Sequence, residues 1–248
     1  MKNFYEYTAK GLESLKKEYS SLPDGRLYIK CSKGSYSFYK YVNGKAAGVK
    51  KDENELYMLA RKLYIEFIIC EMRKRGKLAE SDMAEFRSSK RNFSKTMETA
   101  FQLLCRKRIM MDKISYDWCC RKFDSNPKYP EQLKYKTGEG IKIRSKSERV
   151  IANRLEKYMI PYRYEAKLSL DGINYYPDFT ILKNDGSLIL WEHLGLADNQ
   201  DYAFNTYRKL ENFRKHGFVQ HKNLICTYEN DIESEQELDR IIKRYYAD

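Results

Sequence analysis

Tyr176-Pro-Asp-Phe-Thr-Ile-Leu-Lys-Asn-Asp-Gly186-Ser-Leu-Ile-Leu-Trp-Glu-His-Leu-Gly195 is the stretch that decides the fold. Two apolar runs, Phe179 to Leu182 and Leu188 to Trp191, flank Asn184-Asp185-Gly186. That is the pattern of a three-residue hairpin loop whose glycine takes the left-handed conformation. Both runs are apolar on their two faces, so the hairpin is expected at the covered centre of a sheet. With this loop Asp178 falls directly opposite Glu192. Their Cβ atoms would lie about 5 Å apart on one face, where like charges destabilise each other. A divalent metal between them is the natural compensation, since one or two carboxylates with waters and a substrate phosphate suit Mg²⁺.

Working outward, the Asp171-Gly172 turn pairs Ser169 with Asn174. Continued along the strands, it pairs Glu165 with Asp178 and Lys167 with Tyr176. Glu165, Lys167, Asp178 and Glu192 would then share a face. Pro177 works against this, because proline cannot donate to a ladder, and a one-residue slip there would turn Glu165 and Lys167 away. Strand alternation sends His193 to the face opposite Glu192. There it is either a hydrogen-bonded core histidine or a strand-end group that swings toward substrate. Upstream, Ser145-Lys-Ser-Glu148 has the form of a capping box, in which Glu148 satisfies the backbone at a helix start.

Periodicity beyond these motifs predicts a helix over 145–159 and strands over 162–170, 173–182 and 187–194. A helix over 201–216, a strand over 222–228 and a helix over 233–246 follow. Residues 131–248 therefore read as an α/β domain, a central mixed sheet flanked by helices. Asn126-Pro127, Tyr129-Pro130 and the polar stretch Lys134 to Gly140 interrupt the periodicity and place a linker and boundary near 130. Residues 1–130 read as α+β. They hold a helix from Tyr5 to Ser21, two or three antiparallel strands around Asn43-Gly44, and a long helix from Asp52 with Leu56, Leu59, Leu63 and Phe67 on one side. Further helices are expected within 81–124.

With 42% hydrophobic and 33% charged residues the chain has the composition of a folded protein, which excludes disorder. No window approaches 18 uncharged apolar residues and the start lacks a signal-peptide core, so a cytoplasmic protein without membrane insertion is expected. Six cysteines without a CxxC pair, and only three histidines, argue against a disulfide framework or a zinc site and for reduced, mostly buried thiols. The net charge of +12 is confined to residues 1–128, whereas 129–248 carry 19 charges of each sign. Such a one-sided balance suits nucleic acid. An anionic membrane surface would be drawn by the same charges, and a solvated basic face is the plain alternative. Tyr28, Tyr36, Phe38, Tyr39 and Tyr41 are either core aromatics of the hairpin or stacking partners for bases.

The helix start Ser145-Lys-Ser-Glu148, then Tyr176-Pro-Asp178-Phe-Thr-Ile, then Leu190-Trp-Glu192-His-Leu-Gly195 resembles, in that order, the PD-(D/E)xK nuclease superfamily over residues 141 to 229. The Trp-Glu-His-x-Gly form looks like a variant subgroup found in bacterial proteins. The resemblance implies a restriction-endonuclease-like fold and a nuclease, endo- or exo-acting, that hydrolyses nucleic acid, with DNA as the expected substrate and Mg²⁺ or Mn²⁺ as cofactor. It implies Asp178 and Glu192 as metal ligands and Glu148 as a further ligand or water-positioning acid. The superfamily's lysine, two residues after the second acid, falls on Leu194. Lysines migrate in this superfamily, and Lys167, near Asp178 in this register, is the first candidate replacement, with Lys209 on the following helix the second and expected to matter little. His193 completes the candidate catalytic set. The missing lysine keeps a second expectation open, a nuclease-fold protein that has lost hydrolysis and binds nucleic acid or regulates. A third treats the basic half as a protein-interaction module.

Overall fold

The computed structural model describes residues 9–51, 53–74, 93–195 and 200–246. Much of the helical region expected within 81–124, and the first residues of the opening helix, lie outside them. The chain divides into two compact units at Lys113/Ile114, and each is described by itself.

The N-terminal unit holds α1 (Ala9–Ser21), the strands β1 (Arg26–Ser32), β2 (Ser35–Val42) and β3 (Lys45–Val49), and the helices α2 (Asn54–Lys74), α3 (Phe93–Leu103) and α4 (Arg106–Met110). The strands form an antiparallel sheet in the order β1-β2-β3. Lys33-Gly34 and Asn43-Gly44 both have positive φ, as the two-residue turns of twisted hairpins require. Leu27, Phe38 and Val49 are buried on the face that meets α2. That helix buries Leu56, Leu59, Ala60, Tyr64, Ile65, Ile68, Ile69 and Met72, a wider belt than the expected stripe, in which Leu63 and Phe67 are only half-buried. The belt is wide because α1, α3, α4 and the sheet all pack on it. Buried Arg61 donates to the Glu18 carboxylate and to the Ile109 and Met110 carbonyls at the end of α4, which have no partner within the helix.

The C-terminal side runs α5 (Lys113–Cys120), β4 (Tyr135–Lys136), β5 (Lys142–Ile143), α6 (Lys146–Lys157), β6 (Tyr162–Tyr164), β7 (Leu168–Leu170), β8 (Ile173–Tyr175), β9 (Phe179–Leu182), β10 (Leu188–His193), α7 (Gln200–Lys215), β11 (Leu224–Thr227), α8 (Glu229–Ile232) and α9 (Glu235–Tyr246). Its main sheet has the order β11-β10-β9-β6, with β10 parallel to β11 and antiparallel to β9, so the protein is mixed α/β around a four-stranded mixed sheet. The two long strands expected over 162–170 and 173–182 each break in two, and β7 and β8 form a separate ladder. The break lies at Pro177, which has no N–H to offer, and at Glu165, whose φ of 44° is left-handed. The expected register survives it, with Tyr164 opposite Phe179 on one side and Ser169 opposite Asn174 on the other.

The division at 113/114 falls well ahead of the boundary expected near 130. Residues 124–126 are laced to the break in the sheet: the Lys167 amide donates to the Asp124 carbonyl, Ser125 bridges Ala166, and the Asn126 amide donates to the Glu165 carbonyl. Prolines that read as a linker thus belong to a strap on the C-terminal unit.

One sheet face is packed by α7, whose Phe213 is fully buried against Leu190 and Leu224. On the other, Phe179 meets Tyr162 and Trp191 edge-on and Tyr164 at a tilt. No disulfide joins any of the six cysteines, and none is fully buried: Cys31, Cys105 and Cys120 are exposed, against the expectation of mostly buried thiols. Among the described residues no helix is long and apolar enough to cross a membrane.

Phe179 is 0% exposed and links three other rings. Phe179→Ala should lower the unfolding free energy of the C-terminal unit by about 3–5 kcal/mol in urea titrations, as large-to-small changes in tight cores do. A loss below about 1 kcal/mol would place Phe179 outside the core.

Candidate functional site

The β9–β10 hairpin has the expected register: Leu188 opposes Leu182, Ile189 opposes Ile181, Leu190 opposes Thr180 and Trp191 opposes Phe179. Its loop closes through a hydrogen bond from the Gly186 amide to the Lys183 carbonyl, with Gly186 at φ 83°. One step further, Asp178 and Glu192 face each other at the end of the hairpin. The His193 backbone N–H donates to Asp178 Oδ2 at 2.6 Å, which holds the Asp178 side chain against β10.

Glu192 is 4% exposed. Lys209, from α7, lies with Nζ 2.7 Å from each oxygen of its carboxylate. Only Oε2 receives the hydrogen bond, and the buried Oε1 accepts none. The ammonium also donates to the Tyr176 carbonyl at 3.3 Å, which ties it to the segment leading into Asp178. Leu194, where the lysine of the resembled motif would stand, lies beyond the end of β10, its amide bonded to the Thr227 carbonyl. The cation therefore reaches the acids from a helix, three-dimensionally adjacent though 17 residues further along the chain.

Electrostatics follow from this crowding. Burial, the Glu192 charge and then the Glu148 charge raise the Asp178 carboxyl well above the usual carboxylate range, against the opposing pull of Lys209 and the His193 amide. Burial likewise raises Glu192, with Glu148 adding to it, while Lys209 lowers it through its charge and its hydrogen bond. Cys226, paired with Glu192 across β10 and β11, has its thiol pushed up to about 12 by burial and by the two carboxylates, so it stays neutral beside them.

Glu148 is at the start of α6, where the capping box with Ser145 is present. Its Oε2 also accepts from the Tyr164 hydroxyl at 2.6 Å. Glu148 is thus near enough to bias both acids, yet committed to local bonds. Among the described residues no group of three or more His, Cys, Asp or Glu side chains is arranged to hold a metal. The expected three-acid ligand set is therefore not assembled. What does fit a cation is the Asp178/Glu192 pair, two buried carboxyl groups whose mutual repulsion, together with burial, raises Asp178 well above the usual carboxylate range.

Glu165 and Lys167 do not join the site. The Glu165 amide donates to the Asp178 carbonyl at 3.1 Å, so the backbone register is the one expected. Its left-handed conformation nonetheless sends the side chain to Arg144 and Asn126. Lys167 pairs with Asp124 at 3.6 Å, half-exposed.

His193 points to the opposite face from Glu192. Its Nδ1 is 3.2 Å from Thr227 Oγ1 and its Nε2 3.2 Å from Glu229 Oε1. Thr227 also accepts from Trp191 Nε1 at 2.9 Å, and Ser147, beside Glu148, donates to Glu229. A Cβ on Gly195 would approach Glu229 Oε1, the end of a largely exposed side chain, to 3.3 Å. Tyr164, Cys226, Thr227 and Glu229 escaped the sequence analysis. Tyr164 and Cys226 sit one position from an acid in helix–strand or cross-strand space, a relation no local spacing encodes.

Both acids titrate above their usual range in the folded chain. The stability they contribute is full below about pH 4, where the unfolded carboxylates are protonated too, and is lost as pH rises through the raised values. Asp178→Asn keeps an acceptor for the His193 amide and removes the repulsion. Its melting temperature should equal the parent's near about pH 4 and exceed it at about pH 8, by roughly 2–4 °C for each kcal/mol relieved. Melts in EDTA that show the variant as stable as the parent near about pH 4 and less stable at about pH 8 would mean that Asp178 stabilises the fold as an anion.

Compared with protein-family models, with curated proteins and with solved structures, the chain matches none.

Proposed function

We propose that the chain is a metal-dependent nuclease that hydrolyses phosphodiester bonds of nucleic acid, with DNA as its substrate, through a restriction-endonuclease-like C-terminal unit. The observation that carries this is the meeting of Asp178, Glu192 and Lys209 at the end of one buried hairpin. It supplies the two acids and the cation of the resembled signature, with Lys209 in the role left open at Leu194. Asp178 and Glu192 are the residues to hold Mg²⁺ or Mn²⁺. Such an ion, when bound, polarises the phosphate and lowers the pKa of the attacking water.

The chain's own groups do the rest. Asp178 is oriented by the His193 amide, and Glu192 is locked by burial, so neither has to be ordered when substrate arrives. Lys209, already held between Glu192 and the Tyr176 carbonyl, is the donor placed to steady charge that develops on the phosphate oxygens. Glu148 adds negative potential from α6 and keeps the Tyr164 hydroxyl oriented. His193, with its ring engaged by Thr227 and Glu229, serves as a positioning residue.

A second reading, a nuclease-fold protein that binds nucleic acid without cutting it, is favoured by the engagement of Glu148 with Ser145 and Tyr164 and by the absence of a three-ligand group among the described residues.

Labelled single- and double-stranded DNA incubated with the full chain separates the two. Cleavage is expected only with Mg²⁺ or Mn²⁺ and is lost in Asp178→Asn and Glu192→Gln. Lys209→Ala should lower kcat by about 10²–10³, the usual cost of removing one charge-stabilising donor. Lys167→Ala should cut at the parent rate. Full activity of Lys209→Ala would remove the ammonium from the mechanism, and binding without cleavage under every metal condition would establish the second reading.

A further inference from the structure

We propose that the outer face of the β1-β2-β3 sheet is a docking platform for single-stranded DNA. The inference rests on the nucleic-acid part of the function proposed above and deepens it by naming the surface and the strandedness.

Side chains alternate along a strand, and the face bearing Leu27, Phe38 and Val49 is buried toward α2. The opposite face carries Arg26, Tyr28 and Lys30 of β1 with Tyr39 and Tyr41 of β2, since Arg26 opposes Tyr41 and Tyr28 opposes Tyr39. Tyr28 and Tyr41 are 50% and 48% exposed, and the Tyr28 and Tyr39 rings stand 6.3 Å apart. Next to them β3 offers only Ala46 opposite Tyr41 and Gly48 opposite Tyr39. A Cβ on Gly48 would meet nothing within 4 Å, so the space beside the rings is open.

The strands and turns of this sheet carry charge of one sign. Between Gly25 and Lys51 there are seven Lys or Arg and no Asp or Glu. Lys40, on the inner face, pairs with Glu55 of α2, and Lys45, opposite Val42, belongs to that face too, while Lys30 on the outer face and Lys33 in the turn are exposed. Exposed rings on strands that carry lysine and arginine but no acid match a ligand that is a polyanion and presents flat π faces. Unpaired bases on a phosphate backbone are both, whereas a duplex shows a protein mainly phosphates and base edges. A protein partner would gain from the rings but not from strands whose only charges are positive.

The test uses the full chain carrying Glu192→Gln, in EDTA, so that cutting and metal play no part. Anisotropy titrations with a labelled oligothymidylate of about 20 nucleotides, and with a duplex of that length, should show tighter binding to the single strand. Tyr28→Ala with Tyr41→Ala should weaken single-strand binding by about tenfold or more, and Tyr28→Phe with Tyr41→Phe, which keeps both π faces, should restore it. Lys30→Gln should lower the slope of log affinity against log salt by about 0.7. Alanine variants that keep the parent's circular dichroism and bind as the parent does overturn the platform, as does tighter binding to the duplex. Cleavage by the unmodified chain in Mn²⁺ is read in parallel. If it cuts while the alanine variants bind unchanged, the platform fails and the nuclease stands; if it neither binds nor cuts, both fall.

Discussion

Two carboxylates facing each other at the end of a buried hairpin set the terms for the C-terminal unit. The loop at Gly186 fixes the register, and the register leaves Asp178 and Glu192 no choice but to meet. Inside a protein such a meeting is costly unless cations are brought to it. The His193 amide and the Lys209 ammonium are what this chain brings. Lys209 can arrive only because α7 lies across the sheet with Phe213 sunk between Leu190 and Leu224. Apolar packing four residues along the helix thus places the charge that makes the acid pair tolerable.

The other face of β10 has a complementary task. Trp191 and His193 alternate with Glu192, and both reach Thr227 on the parallel strand β11. Glu229 then links His193 to Ser147 on α6, the helix that carries Glu148. One short strand therefore presents an acid on one side and is pinned on the other. A main-chain N–H of the pinned residue orients the second acid. The pinning residues need not touch a substrate for the geometry of the acids to depend on them.

The N-terminal unit obeys different physics. Its core is a helix buried on a broad belt against a small sheet, and its polar interior is settled by Arg61 bonding Glu18 and the end of α4. The outer surface of its sheet is cationic and aromatic, with no acid in the strands to moderate it. Cationic residues are thus concentrated in the strands and turns of the N-terminal unit, whereas the acid pair and its lysine lie in the C-terminal unit.

Local patterns sufficed wherever the determining interactions were close in sequence. The hairpin loop, the register that opposes residues 178 and 192, the Ser145–Glu148 capping box and the turn pairing Ser169 with Asn174 all follow from glycine conformation, strand alternation and short-range hydrogen bonds. Tertiary structure decided the rest. Glu165 kept its expected backbone partner but took a left-handed conformation, and Arg144 and Asn126 claimed its side chain. Lys167 went with it to Asp124, and Lys209 proved to be the lysine beside the acids. The boundary moved because residues 124–126 strap onto the broken sheet. In each case the deciding partner lies tens of residues away or on another element. Which helix face meets a sheet, and whether it brings a lysine to the acids, is set by packing between elements, and spacing within an element carries no record of it.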